Sequence, residues 1–176
     1  YRIDIIGKNH DDLADGTGKA PLTFQMHDCY ATNYPMNDTD TNVGGWRDCQ
    51  MRTQTMPSLK ALMPAEVQAG IRPVKKLTSA GNKSSSIVTT SDELFLLSEI
   101  EIFGSTTHSF AREGTQYAYY QAGNSKVKNL SGSANTWWER SPRSNDPARF
   151  CYVDSSGNAN WGSANSLISV AFGFCF

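Results

Sequence analysis

Four residue types are missing from the end of this 176-residue chain. Residues Ser141–Phe176 contain no Lys, Gln, Glu or Met, and only one Trp. These five types fill 28 of the first 140 positions, so a uniform composition would place about seven in the last segment. Mutation of the adenines in AAC and AAT codons never produces any of the five. The pattern therefore predicts fixed residues interleaved with adenine-mutagenised ones, as expected of a binding surface and not of a catalytic centre.

Other absences narrow the class of protein. No apolar run approaches the roughly 20 residues that span a bilayer, so no membrane insertion is expected. The net charge of −1 gives no electrostatic case for nucleic acid or an anionic membrane. The sequence starts with Tyr and has no signal-peptide pattern, which favours a trimmed or internal domain. Membership of a larger chain or of an oligomer is a separate expectation. The length predicts one domain over residues 1–176.

Cysteine is scarce. The chain has Cys29, Cys49, Cys151 and Cys175, and no two of them form a C-x-x-C pair, which argues against a zinc site. Four cysteines are too few for a disulfide scaffold of this size. We predict buried free thiols, and a single bridge between Cys151 and Cys175 stays open as the alternative.

The hydrophobic patterns predict short strands and two main helices, which indicates the α+β class. Strands are predicted at residues 2–6, 22–26, 74–77, 94–97, 137–142, 150–153 and 170–176. Helices are predicted at residues 46–55 and 58–71, with a further helical turn at 98–103 that Gly104 ends. Residues 30–45 are predicted to form a loop.

Neighbouring residues in the predicted strand 137–142 have structural explanations. Trp137 and Trp138 point to opposite sides of a strand, so at least one is expected in the core. Glu139 and Arg140 are expected to form a structural salt bridge.

Two histidine-containing clusters invite functional explanations that we do not favour. His10, Asp11 and Asp12 are adjacent in a loop, a spacing that rarely gives good metal geometry. Cys29 follows His27 and Asp28, but it is expected to pack in the interior and not to act as an activated nucleophile. No cofactor and no metal are predicted.

A set of motifs along the chain resembles a known family. The motifs are Ile5–Asp12, Lys19–Gln25, Gly44–Trp46, Leu94–Glu99, Glu113–Tyr117, Trp137–Pro142 and Val170–Phe176. Together they resemble the DUF6273 family of bacterial and phage proteins and, within it, the variable proteins of diversity-generating retroelements. The resemblance covers nearly the whole chain.

This resemblance implies a C-type-lectin-like fold, related to that of formylglycine-generating enzymes. In such variable proteins a reverse transcriptase copies a template with errors at adenines, and the copy replaces the 3′ end of the coding sequence. The altered side chains then form a ligand-binding surface. The implied partner is a protein or glycan on a cell surface, and the implied location is a phage particle or a bacterial surface, or a secreted form.

The resemblance divides the variable region, residues 141–176, into two classes. The fixed positions would be Phe150, Cys151, Val153, Gly157, Ala159, Ala164 and Val170–Phe176. The candidate ligand-binding positions are Arg143, Ser144, Asn145, Asp146, Arg149, Tyr152, Asp154, Ser155, Ser156, Asn158, Asn160, Trp161, Gly162, Ser163, Asn165, Ser166, Leu167 and Ser169.

Four of these candidates stand out. Tyr152, Trp161, Arg143 and Arg149 are of the types that dominate binding energies at interfaces. Trp161 is not explained by adenine mutagenesis, because mutation of the adenines in an Asn codon cannot produce a Trp codon.

Three alternatives remain beside the diversified binder. One is a non-diversified carbohydrate- or protein-binding domain of the same family. Another is a formylglycine-generating-type enzyme, for which only Cys151 and Cys175 would supply a cysteine pair; we expect no enzyme. The third is a calcium-dependent lectin, whose Glu-Pro-Asn, Gln-Pro-Asp and Trp-Asn-Asp signatures are absent, although Asp38 and Asp40 offer loop carboxylates.

Overall fold

A computed structural model describes all residues from Tyr1 to Phe176. Eleven short strands account for most of the regular structure. They are β1 (Ile3–Lys8), β2 (Leu22–Met26), β3 (Val74–Ser79), β4 (Ile87–Asp92), β5 (Leu94–Phe95), β6 (Lys128–Leu130), β7 (Ser133–Asn135), β8 (Trp137–Pro142), β9 (Arg149–Val153), β10 (Ala159–Ser163) and β11 (Gly173–Cys175). With the helices below, they confirm the predicted α+β class.

The largest sheet joins the two ends of the chain. Its strand order is β1-β2-β11-β5, and each neighbouring pair is antiparallel. Phe174 of β11 lies opposite Phe24 on one side and Leu94 on the other. One long strand is predicted at residues 170–176, but the strand spans only Gly173–Cys175. The strands β1 and β5 form the two edges of this sheet.

A second sheet of three antiparallel strands is formed by the C-terminal part of the chain. Its order is β10-β9-β8, so β9 is central. The pairing of β8 with β9 shifts between Trp138 and Pro142, which marks a bulge. Two hairpins, β3-β4 and β6-β7, complete the strands. The strands β4, β6, β7 and β10 were not predicted.

The helices are short, and the expectation of two main helices is wrong. They are α1 (Gly45–Asp48), α2 (Met56–Ala61), α3 (Ala65–Gly70), α4 (Glu99–Phe103) and α5 (Ala118–Gln121), with a π-helical turn over Met51–Thr55 that leads into α2. The helix predicted at 58–71 is broken by Pro64, which precedes α3 and has an extended ψ of 141°. No helix has the length and apolar character needed to span a membrane.

Tryptophan and other aromatic side chains fill the core. Trp46, Trp137 and Trp138 have no exposed surface, so the expectation that at least one tryptophan of β8 lies in the core is confirmed, and both do. Two of their indole nitrogens donate to main-chain carbonyls, that of Trp138 to Tyr34 at 2.9 Å and that of Trp137 to Lys126 at 3.0 Å. Buried indole N–H groups are therefore satisfied while the rings pack.

All four cysteines are buried free thiols, as predicted. Cys151 lies in β9 of the three-stranded sheet, whereas Cys175 lies in β11 of the four-stranded sheet. The bridge that was left open between them is absent.

A buried network of charges joins distant segments. The ammonium of Lys76 is 2.8 Å from Asp11 Oδ1 and 2.7 Å from Glu101 Oε1. Arg140 binds the same Glu101 carboxylate, so the predicted pair with Glu139 is wrong. Both Glu139 oxygens are buried without a hydrogen-bond partner. Adjacent strand residues point apart, which explains why Glu139 and Arg140 do not meet.

Candidate binding surface

The candidate positions lie on β9, β10 and the loops around them. We call residues 143–169 the C-terminal surface. Of the 18 candidates, 17 are exposed or half-buried, and Ser169 is the exception. Ser169 is fully buried and its hydroxyl bonds Asn33 Oδ1 at 2.8 Å, so it lies inside the domain. The six most open positions are Asn145, Ser155, Ser156, Asn158, Asn165 and Leu167.

The interleaved fixed positions are mostly internal. Phe150, Cys151, Val153 and Ala164 have no exposed surface, whereas Ala159 is half-buried. Gly157 has a φ of 84°, a left-handed conformation that favours glycine, and a Cβ there would be 3.3 Å from Val127. Buried and accessible residues therefore alternate along this segment, with the half-buried Gly157 and Ala159 and the buried Ser169 as departures from the predicted division.

Trp161 lies at the centre of a charged cluster. The guanidinium carbon of Arg143 is 3.7 Å from the centroid of its ring, and that of Arg149 is 4.8 Å away. Asp146 Oδ2 lies 3.6 Å from Arg143 Nη1 and 3.1 Å from Arg149 Nε. Cation–π contacts and the shared carboxylate hold the half-buried indole in one orientation, which suits a rigid aromatic anchor.

Asp146 also shapes the loop that carries it. Its Oδ1 accepts a hydrogen bond from the Ala148 N–H at 2.9 Å. That bond, with the help of the Arg149 and Arg143 guanidiniums, lowers the pKa of the carboxyl. Asp146 thus stays ionised and keeps both arginines in place.

Tyr152 faces away from this cluster. It lies opposite Asn160 in the β9–β10 pairing, whereas Trp161 lies opposite Cys151. Because successive strand residues point to opposite faces, Tyr152 and Trp161 are on different faces of the sheet. The Tyr152 ring contacts Trp138 edge to face at 6.0 Å, and burial raises the pKa of its hydroxyl. Of the four strongest candidates, the structure therefore brings Arg143, Arg149 and Trp161 together and places Tyr152 apart from them.

The loop before β9 is fixed through its main chain. The Asn42 side-chain amide donates to the carbonyl oxygens of Asp146 at 2.8 Å and Arg149 at 2.7 Å, and the Asn42 N–H donates to Pro147 O at 2.6 Å. Asn42 Oδ1 accepts the Asn82 N–H at 2.8 Å. Because these contacts use carbonyl oxygens, they do not depend on the side chains at positions 146 and 149.

The loop after β10 is fixed in a similar way. The Ala164 N–H donates to Asp40 Oδ1 at 3.0 Å and to Ala148 O at 2.9 Å. The Ala164 carbonyl accepts from the Met36 and Asn37 N–H groups. Asp40, which the sequence offered as a loop carboxylate for an ion, is here a structural hydrogen-bond acceptor.

Asp154 has a local structural role. Its Oδ1 accepts the N–H groups of Ser156 and Asn158, both at 2.9 Å. Such a turn is typical of Asp, and it shapes the hairpin between β9 and β10. Ser163 is also engaged, since its hydroxyl accepts from Arg149 Nη1 at 2.8 Å.

Sequence reasoning missed Asn42 and Asp40 as supports of this surface. The segment 30–45 was predicted only as a polar loop, and its partners are more than 100 residues away in sequence. A single sequence carries no signal of such contacts.

The two cysteines of the enzyme alternative do not form a pair. Burial raises the pKa of Cys151 well above its ordinary value, with the nearby Glu139 carboxyl adding to the shift. Burial also raises the pKa of Cys175 to about 12, and its sulfur contacts Thr23 Oγ1 at 3.4 Å. Thiols that stay protonated are poor nucleophiles.

The three residues of the possible metal cluster point to different partners. Asp11 binds Lys76, Asp12 binds Lys19 at 2.9 Å, and the His10 ring stacks on Tyr117 at 4.1 Å between centroids. The carboxylates are thus committed to ion pairs.

Comparison with known proteins identifies one family. The family described as Domain of unknown function (DUF6273) matches residues 22–173 of the chain. Comparisons with curated proteins and with solved structures give no significant match. The matched range contains the strands β2 to β10 and all of the C-terminal surface. The chain belongs to the DUF6273 family.

Proposed function

We propose that this domain binds a protein or glycan ligand on a cell surface through its C-terminal surface, and that adenine-directed mutagenesis by a retroelement diversifies that surface. The fold would be C-type-lectin-like, and the domain would be carried by a phage particle or a bacterial surface, or secreted. No chemistry is assigned to it.

One observation carries the proposal. The loop before β9 is held by Asn42 through main-chain carbonyls, while 17 of the 18 candidate side chains remain outside the core. Apart from Asp146, whose carboxylate bonds the Ala148 N–H, positions in a segment held in this way accept new side chains without a change in the path of the loop. Arg143, Arg149 and Trp161 supply the cationic and aromatic groups that interfaces favour.

The enzyme alternative has less support. It requires a close pair of reactive cysteines, and Cys151 and Cys175 are buried in different sheets with different neighbours. A non-diversified binding domain would use the same surface. It would differ only in that no retroelement mutagenises its coding sequence.

Two libraries of variants displayed on yeast test whether the C-terminal surface binds ligands. The first randomises Arg143, Arg149 and Trp161, and the control randomises Phe150, Val153 and Ala164. Both are displayed on yeast and selected against one immobilised protein such as lysozyme. We expect the first library to keep its display level and yield binders, while the control library loses display. Loss of display in the first library would contradict the proposal.

The flanking DNA tests the diversification. We expect a near-copy of the last hundred or so nucleotides of the coding sequence, differing at positions of adenine and lying beside a reverse-transcriptase gene. A locus without such a copy would leave a binding domain that is not diversified.

A further inference from the structure

The strand β1 presents an unpaired edge. The order β1-β2-β11-β5 places β1 at one end of the sheet, where it pairs only with β2. Ile3 and Ile5 lie on this strand and are 44% and 48% exposed. An open edge that carries apolar side chains is a site where another strand can add.

The hydrogen bonds between β1 and β2 show which main-chain groups of β1 point away from β2, towards the free edge. Ile3 lies opposite Met26, and the His27 N–H donates to Arg2 O at 3.0 Å. In an antiparallel ladder this arrangement directs the main-chain groups of Arg2 and Asp4 towards β2. The N–H and C=O groups of Ile3 and Ile5 therefore point to the free edge, and no other part of the chain bonds them.

The sequence at this edge is complementary to itself. If Ile3 pairs with Ile3 of a second copy in antiparallel orientation, Tyr1 faces Ile5 and Arg2 faces Asp4. Apolar residues then meet apolar residues on one face, which stabilises cross-strand pairs. On the other face each Arg2 lies opposite an Asp4 whose carboxylate is 15% exposed and lies 2.7 Å from His27 Nδ1 of its own copy. The same register also matches the outward-pointing groups of Ile3 and Ile5.

The side chains next to this edge are apolar and range from buried to exposed. Phe24 stacks on Phe174 at 5.4 Å and meets Phe176 edge to face at the same distance. Phe176 is 36% exposed and Tyr1 is 82% exposed. A second copy would continue this apolar face across the two-fold axis.

We propose that two copies of this chain associate through antiparallel pairing of residues 1–5, joining two four-stranded sheets into one of eight strands. The bulge in β1 between Ile5 and Gly7 ends the regular edge and limits the pairing to this segment. The C-terminal surface belongs to the other sheet, so the dimer would present two of them. Two linked sites gain avidity for a repeated ligand. The pairing itself does not depend on the proposed function.

Disulfide trapping tests the register. In the proposed dimer the two copies of residue 3 are directly opposite, about 5.5 Å apart between Cα atoms, which suits a disulfide. The two copies of residue 5 are offset by four residues, about 13 Å along the strands, which is too far. We expect Ile3→Cys to form a covalent dimer on mild oxidation and the matched control Ile5→Cys to stay monomeric. Equal cross-linking of both variants, or none with Ile3→Cys, would overturn the proposal.

Sedimentation velocity over a concentration series tests the dimer without cysteines. The apparent mass of the unmodified chain should rise from that of a monomer to that of a dimer as its concentration is raised. Ile3→Lys should keep it monomeric, because two ammonium groups would face each other at the axis. The control Val43→Lys, at a loop residue that is 57% exposed, should leave the dimer unchanged. A chain that stays monomeric at the highest concentration, or equal effects of the two variants, would refute the pairing.

Discussion

Arg140 holds the carboxylate of Glu101 at two points in the interior of the domain. Its Nη1 is 2.5 Å from Oε2 and its Nη2 is 2.9 Å from Oε1. The side chains are 0% and 3% exposed. The same carboxylate binds Lys76, and further Arg140 N–H groups donate to the carbonyls of Leu77 and Leu96. Charges that are desolvated but fully bonded favour one arrangement of the strands around them.

Removing the charge of Arg140 should destabilise the domain strongly. We expect Arg140→Met to lower the free energy of unfolding by about 3–5 kcal/mol, because Glu101 would keep a buried charge with one partner fewer. Urea denaturation measures the change. Arg47→Met is the matched control, since Arg47 also meets Asp48 at two points but is about half exposed, and it should change the free energy of unfolding far less than Arg140→Met does. Equal losses in the two variants would show that burial does not govern the Arg140 pair.

Stability should fall as pH rises from about 4.5 to about 7. Burial raises the pKa of Glu113 from 4.5 to about 7, even though Ser141 and the Ser79 N–H bond its carboxyl. Burial also raises the pKa of Glu139, which has no partner. The folded state thus binds more protons than the unfolded chain, and its stability is lost as these groups ionise.

The window for Glu113 runs from about pH 4.5 to about pH 7, and the loss across it is on the order of 3 kcal/mol. Urea unfolding at intervals through this window measures the slope. Glu113→Gln should flatten it, whereas Glu66→Gln, at an exposed position of α3, should not. Stability that rises with pH across the window would contradict the prediction.

Asn42 should support the C-terminal surface from outside it. Asn42→Ala removes the two donors and one acceptor of a fully buried side chain from its main-chain partners, so we expect a loss of about 1–3 kcal/mol in the free energy of unfolding. Amide hydrogen exchange should also become faster in residues 143–149. Asn145→Ala is the control within the same loop, because Asn145 is exposed and its side chain makes no hydrogen bond; it should change neither measurement.

Local patterns predicted the elements whose residues alternate or cluster by polarity. The strand 22–26 has its predicted bounds, and the turn at 98–103 is helical, with Ser98 as its N-cap and Gly104 in the left-handed conformation at its end. The hairpin strands β6 and β7 were missed because they are short, polar and only partly buried. Their pairing depends on the tertiary structure and not on a hydrophobic pattern.

The ligand-binding role of the candidate positions stays a prediction, and the structure describes only their burial and geometry. Residue type and alternation distinguished Phe150 and Val153 from the accessible positions between them. The sequence did not reveal that Trp161 and Tyr152 lie on opposite faces, since that depends on the register of β10, a strand that was not predicted. Buried charges were also paired wrongly, because Arg140 reaches Glu101 across the fold and not its neighbour in sequence.

The contacts of Asn42 have a consequence for protein engineering. They hold the loop at residues 143–149 by atoms that every amino acid possesses, so that, apart from Asp146, the path of the loop does not depend on which side chains it carries. A designer would therefore keep residues 34–42 constant and vary Arg143, Ser144, Asn145 and Arg149 freely. The domain would serve as a disulfide-free scaffold for binders, one that folds in reducing conditions.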